Sequence, residues 1–268
     1  RGIGHIAKGL PNQDAYAVHQ SRESGEPTII VVSDGVSNCP RSEVGSSFAV
    51  QTALDAVKDF CAKIPGNTAE NLSERVKADL VPNIIAAWRR AVEQHIRDNP
   101  FSHADQERLQ TLRKEEKTEF YRKKLGHMYA TTLVLVATTE GYTIALQIGD
   151  GDIAFVNKDG TKLTRPLNEP NELGDETVAL SSKDAERKAR IFIAGPGRGG
   201  MVMVSTDGVE KSFTTRQGFD KFVKGTMVTL RTNSVEDVQK SLPKWLKEMA
   251  QDEGAGDDAT LVLMKSPE

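Results

Sequence analysis

The sequence predicts an α+β fold in which helices pack on antiparallel sheet. Three observations carry this. Short apolar runs rich in Val, Ile, Leu, Thr and Met cluster towards both ends of the chain. A block with helical periodicity separates the first run from the others. The runs between residues 130 and 157 follow one another through turns too short for a parallel crossover, which favours antiparallel pairing.

The elements follow in order. Strands are expected at 28–33, 130–138, 142–148, 152–157, 201–205 and 259–265, each bounded by Gly, Asp or Asn. Ala49, Ala53, Ala56, Val57 and Phe60 recur at helical spacing behind Ser42, which is expected to cap that helix. Ile84, Trp88, Ala91 and His95 form a second stripe. The stretch 105–124 is mostly charged with acids and bases interleaved, and reads as a solvated helix or lid. Asn157-Lys158-Asp159-Gly160 is a hairpin signal, because Asp-Gly tolerates positive φ. Ser234 and Asp237 read as a capping box, and Pro243 is expected to break that helix or start another, carrying Leu246 and Met249 inward.

Composition narrows the class. With 268 residues, no repeat and no Pro/Ser linker, the chain is read as one domain over 1–268. Hydrophobic content of 38% and charged content of 27% fit a globular protein. A net charge of −3 gives no reason to expect nucleic acid or a membrane surface as partner. No apolar run approaches the ~18 residues of a membrane span. The start shows no signal-peptide core, and the sequence opens abruptly on Arg1, which leaves open whether native residues precede it. Two cysteines, Cys39 and Cys61, are too few for a disulfide framework, so a reducing, cytoplasmic compartment is expected.

The chemistry lies in acids at strand ends. Asp34-Gly35 closes the run at 28–33, Asp150 follows the run at 142–148, and Asp207-Gly208 follows the run at 201–205. At the last run the order inverts, with Asp257 first. An aspartate at the end of a buried strand is held rigidly at the rim of a cleft. Several such carboxylates brought together repel unless a cation neutralises them. Hard divalent ions, Mg²⁺ or Mn²⁺, suit oxygen ligands, and the shortage of His and absence of CxxC argue against zinc. Two such ions ~3.5–4 Å apart would activate a bridging water for in-line attack on phosphorus. Spacing alone leaves two readings open: a shared metal site, or turn aspartates scattered over the fold.

Resemblance separates them. The ordered set "NQD" (12–14), "VVSDGV" (31–36), "ATTLVLV" (130–136), "QIGDGD" (147–152), "VSTDGV" (204–209) and "DDATLVL" (257–263) resembles the metal-dependent protein phosphatase family PP2C, in a divergent, mainly bacterial branch. The resemblance implies an α-β-β-α sandwich of two antiparallel sheets flanked by helices. It implies a serine/threonine protein phosphatase that uses two Mg²⁺ or Mn²⁺ ions, with a third in bacterial members. Carried over, Asp34 would bridge two metals and the Gly35 carbonyl would bind one. Asp207 and Asp257 would hold the first metal, Asp150 with Asp207 a third, and Asp14 would orient metal-bound water. Asp34 and Asp207 are thus the catalytic candidates. The partners implied are a phosphorylated Ser/Thr protein and a cognate kinase. The segment 159–200 would form a flap beside the cleft.

The departures are specific. Gln13 stands where the family has Glu. The family's general-acid His has no counterpart in Val36-Ser37-Asn38-Cys39-Pro40. The family's phosphate-binding Arg is off its usual offset, which leaves His5 and Lys8 as the phosphate-binding candidates. Asp152 lies two residues beyond Asp150 at the family's Arg position, and Asp150 is chosen. These departures motivate a rival reading, a catalytically weak or inactive regulatory module of the same fold. A third reading, hydrolysis of small phosphoesters, shares the site.

Overall fold

Two antiparallel sheets stacked face to face form the centre of the structure, a computed structural model that describes residues 1–37, 39–64, 71–105, 125–167, 178–195, 200–251 and 256–266. The first sheet contains β1 (Asp14–His19), β2 (Thr28–Asp34), β3 (Leu133–Thr138), β4 (Thr143–Ile148) and β7 (Arg190–Ala194), adjacent in that order. The second contains β6 (Leu163–Thr164), β5 (Asp152–Val156), β8 (Met201–Ser205) and β9 (Leu261–Lys265). Every pairing is antiparallel.

Alternation along the strands builds three apolar layers from these two sheets. In β2, Ile29 and Val31 face the outer helices while Ile30 and Val32 face the other sheet. In β8, Val202 and Val204 face the first sheet while Met201 and Met203 face outward. Such strands are apolar on both faces and read as unbroken apolar runs. The first outer layer is covered by α2 (Ser42–Ala62) and α4 (Val81–Asp98), which meet around Trp88, Ile84 and Val57. The second is covered by α7 (Arg216–Thr232) and α8 (Val235–Gln251), through Phe219, Val223, Leu246 and Met249. The fold is therefore an α-β-β-α sandwich. Short elements complete it: α1 (Ile3–Ala7), α3 (Leu72–Arg75) running through a π turn into α4, α5 (Ala185–Lys188) and α6 (Asp207–Lys211).

Close approach matters at Gly45 of α2. A Cβ there would overlap the Tyr129 carbonyl, and the Gly45 carbonyl accepts the Trp88 indole N–H at 3.0 Å. Glycine at this position lets α2, α4 and the 3₁₀ turn Leu125–Tyr129 interlock.

Three local expectations are corrected. Ser42 is the first helical residue of α2 rather than its cap, and its hydroxyl accepts the Gln13 amide at 2.8 Å instead. Pro243 does not interrupt α8, which runs through it; at its start the Ser234 hydroxyl accepts the Asp237 N–H and donates to the Asp237 carboxylate. Residues 130–132 precede β3, where Thr131 makes an isolated bridge with Gly35. In the stretch 159–200, β7 forms the edge of the first sheet, while 168–177 and 196–199 lie outside the described residues. Residues 106–124 of the charged segment also lie outside them.

Candidate active site

One end of the sandwich gathers the strand-end acids. Asp14 opens β1, Asp34 closes β2, and the antiparallel register sets them directly opposite each other. Asp150 stands exposed in the turn between β4 and β5. Asp207 follows β8 as the first residue of α6, and Asp257 precedes β9. Asp14, Asp207, Asp257 and Asp150 all lie near enough to Asp34 for their charges to act on it.

Local chemistry fixes each backbone. The Asp34 N–H donates to Thr132 Oγ1 at 3.0 Å, and its carbonyl accepts from the Thr131 hydroxyl at 2.7 Å and the Thr132 N–H at 2.8 Å. The paired threonines before β3 therefore clamp the end of β2. Gly35 fits between the carbonyls of Ser42 and Gln13, where a side chain would collide. Gly149 takes φ +105° ahead of Asp150, and its carbonyl accepts from Arg190 at 2.7 Å and Gln147 at 3.3 Å. Thr206 donates its hydroxyl to Asp14 Oδ2 at 2.7 Å while accepting the Thr260 N–H at 3.0 Å. That pair of contacts ties β1, β8 and the start of β9 to one carboxylate.

The crowding shows in the protonation equilibria. Burial pushes the Asp14 carboxyl up to about 7, against hydrogen bonds from Thr206 and Thr260 that favour the charged form, with Asp258 and Asp257 adding to the rise. Burial and then the charges of Asp14, Asp207, Asp257 and Asp150 hold Asp34 well above the usual carboxylate range. Burial and Asp150 raise Asp207, while Lys211 opposes the rise. The Lys211 ammonium is 2.6 Å from Asp207 Oδ2 and 3.5 Å from Asp257 Oδ2. Burial works against the Lys211 charge, but the contact with Asp207 and the charges of Asp257 and Asp150 outweigh it and raise its pKa.

The donor set fits a hard divalent cation. It is all oxygen, and Asp14 Oδ1 and Asp207 Oδ1 are shielded from solvent without a hydrogen-bond partner. Among the described residues, no three His, Cys, Asp or Glu side chains already converge as a complete ligand cage.

His5 and Lys8, the phosphate-binding expectations, lie within and just after α1. His5 has a structural position: its buried ring lies with Nδ1 2.7 Å from Asp258 Oδ2 and Nε2 3.6 Å from Asp257 Oδ1, so both nitrogens face carboxylates rather than a phosphate. Lys8 is exposed at the C-terminal end of α1. Gln13 is fully buried and gives its amide to Ser42, while its backbone carbonyl accepts from Gly35 and Ser46. Asp152 is 2% exposed and accepts from Arg165 at 2.8 and 2.9 Å, which also pairs with Asp220 on α7. Its setting is an ion-pair network on the second sheet.

Asp258 is the residue that the sequence reading missed. It is 2% exposed, and it accepts from the Gly2 N–H and the Gln13 N–H at 2.7 Å each as well as contacting His5. The only sequence signal was its place beside Asp257. Asp258→Asn replaces an acceptor with a donor amid these donors. The expected cost is about 3 kcal/mol or more in urea unfolding, as for a broken buried charge pair. A loss under about 0.5 kcal/mol would show that the network does not anchor the N-terminal segment.

Two stacked antiparallel sheets with helices outside thus gather aspartates at one end. The chain belongs to the protein phosphatase 2C family, whose sequence profile matches residues 1–247. No curated protein sequence matches it significantly. Solved structures with the same fold include the serine/threonine phosphatase Stp1 from Staphylococcus aureus, at 15% identity and TM-score 0.58, covering 96% of this chain and 90% of that one. They include the Mycobacterium tuberculosis serine/threonine phosphatase PstP/Ppp, at 13% identity and TM-score 0.51, covering 96% and 93%. A third is the catalytic domain of PstP in complex with two manganese ions, at 14% identity and TM-score 0.50, covering 96% and 91%.

Proposed function

We propose that this chain is a Mg²⁺- or Mn²⁺-dependent phosphatase acting on phosphoserine and phosphothreonine in proteins. The observation that supports this is that five aspartates from separate elements lie within electrostatic reach of Asp34 or are Asp34 itself, two of them with buried, unpartnered oxygens. Membership of the 2C family and the manganese in the PstP structure support it. Asp14, Asp34, Asp207, Asp257 and Asp150, with the Gly35 carbonyl, would hold two ions and a third on the Asp150 side. Bound there, the metal supplies Lewis acidity and an activated water at neutral pH.

The chain's own residues prepare that chemistry. The Thr131–Thr132 clamp holds the end of β2, so that Asp34 needs little rearrangement to serve. Thr206 occupies one oxygen of Asp14 and leaves the other available. The family's general-acid His has no counterpart in this sequence, so on this reading the leaving alkoxide would take its proton from another group or from water in the site. A cognate kinase and a cytoplasmic setting go with this reading. Among the described residues no helix is long and apolar enough to cross a membrane.

The test is hydrolysis of p-nitrophenyl phosphate and of a phosphothreonine peptide with Mn²⁺ and with EDTA. Turnover that needs Mn²⁺ on both substrates is expected. Turnover of the small ester alone would move the assignment to small phosphoesters. Mn²⁺ binding without turnover of either would favour a regulatory module, a reading that Gln13 and the missing His already motivate.

A further inference from the structure

Lys211 is the feature of the acid cluster that the phosphatase reading leaves unused. Its position follows from the local sequence: Asp207 and Lys211 are the first and last residues of α6, four apart and therefore on one face of the helix. The neighbouring acid does not compete for it, because Glu210 is paired with Arg216. The lysine side chain is 52% exposed, and its ammonium lies 2.6 Å from Asp207 and 3.5 Å from Asp257. The cation is thus tethered by a flexible, solvated arm and can leave without disturbing the core.

We propose that Lys211 is a built-in counter-ion that competes with divalent metal for the Asp207 and Asp257 face of the cluster. This rests on the metal-site reading above. With metal absent, the ammonium neutralises carboxylates that would otherwise repel one another. A divalent ion taking oxygens of Asp207 and Asp257 must meet or displace a positive charge a few ångströms away, and like charges at that range oppose binding strongly in a partly shielded site. The lysine therefore sets the metal concentration at which this face fills. It acts on occupancy through the ligands and is a positioning residue. Its removal should tighten metal binding and also weaken the metal-free fold, two opposite effects that a purely structural salt bridge would not produce together.

The test measures Mn²⁺ binding by calorimetry and metal-free stability by urea unfolding, on wild type, Lys211→Met and Lys211→Arg, with Asp34→Asn as control. Lys211→Met keeps the length of the arm and removes its charge. It is expected to bind Mn²⁺ about tenfold tighter at the weakest site, or to bind one more ion, and to unfold at lower urea without metal. Lys211→Arg keeps the charge and should bind Mn²⁺ within about threefold of wild type. Unchanged or weaker Mn²⁺ binding by Lys211→Met, with Asp34→Asn still impaired, overturns the role of Lys211 and leaves the metal site standing. Mn²⁺ binding that Asp34→Asn does not alter overturns the site itself, and the role of Lys211 with it.

Discussion

Asp34→Asn should lower Mn²⁺-dependent hydrolysis of p-nitrophenyl phosphate by about a thousandfold or more, equivalent to about 4 kcal/mol of transition-state stabilisation. The charges of Asp14, Asp207, Asp257 and Asp150 all act on Asp34. An amide keeps the shape and gives up the charge that holds cations together. The metal-free protein should respond in the other direction. Burial and four like charges disfavour the ionised Asp34 carboxylate, so the neutral amide relieves repulsion. The variant is expected to be as stable as wild type or more so in EDTA, and to gain less stability on adding Mn²⁺. Initial rates at saturating Mn²⁺ and urea midpoints with and without the metal check both halves. A rate within tenfold of wild type would remove Asp34 from the mechanism.

The second large effect is on pH. The Asp14 carboxyl is raised to about 7 in the folded chain, chiefly by burial, from an ordinary value of 3.8. A group whose folded pKa is raised holds its proton more tightly in the native state. Its contribution is complete below the unfolded value and is lost as pH rises through the folded one. Each such group changes stability by up to ~1.4 kcal/mol per pH unit between the two values. In EDTA, unfolding free energy should therefore fall by about 2 kcal/mol between pH 5.5 and pH 7.5 from Asp14 alone. Asp34 and Asp207 are shifted in the same direction and add to the fall. Asp14→Asn should flatten the profile. Saturating Mn²⁺ should reverse it, since metal and protons compete for the same oxygens and ligand binding stabilises the native state. A metal-free stability that rises across this range would show that these carboxyls are already ionised without cost.

The parts of the site legible in the sequence are those written in short, local stretches. Asp34-Gly35 and Asp207-Gly208 each follow an apolar run, so strand, turn and acid can be read from a few neighbouring residues. The strand bounds survive to within one to three residues for the same reason. The stacking of sheets was implied by family resemblance and not by periodicity, because strands apolar on both faces do not announce which neighbour each face meets. Asp258 was missed because its partners Gly2, His5 and Gln13 lie more than 240 residues away. The contacts of His5 with Asp258 and Asp257 are hidden from the sequence for the same reason. Arg190 shows the same limit, reaching the Gly149 carbonyl from an edge strand. Lys211 is a different case: its spacing from Asp207 is local, and helical periodicity would have paired the two had the turn after β8 been read as a helix. Pro243 continues in helix because α8 gains enough from packing Trp245, Leu246 and Met249 to offset one missing hydrogen bond.

Asp14 and Asp257 meet at the site although almost the whole chain separates them, and the Gly4 N–H also bonds the Gly256 carbonyl at 2.8 Å. Translation delivers these two ends at opposite moments. A nascent chain that has already made Asp14, Asp34, Asp150 and Asp207 still lacks Asp257 and the β9 edge that seats it beside Thr206. Pairings this distant in sequence form late, after the cost of closing the intervening chain has been met. On the proposed reading, synthesis would withhold the complete acid cluster until β9 has left the ribosome, and a shorter nascent chain would lack one of the carboxylates proposed to hold metal.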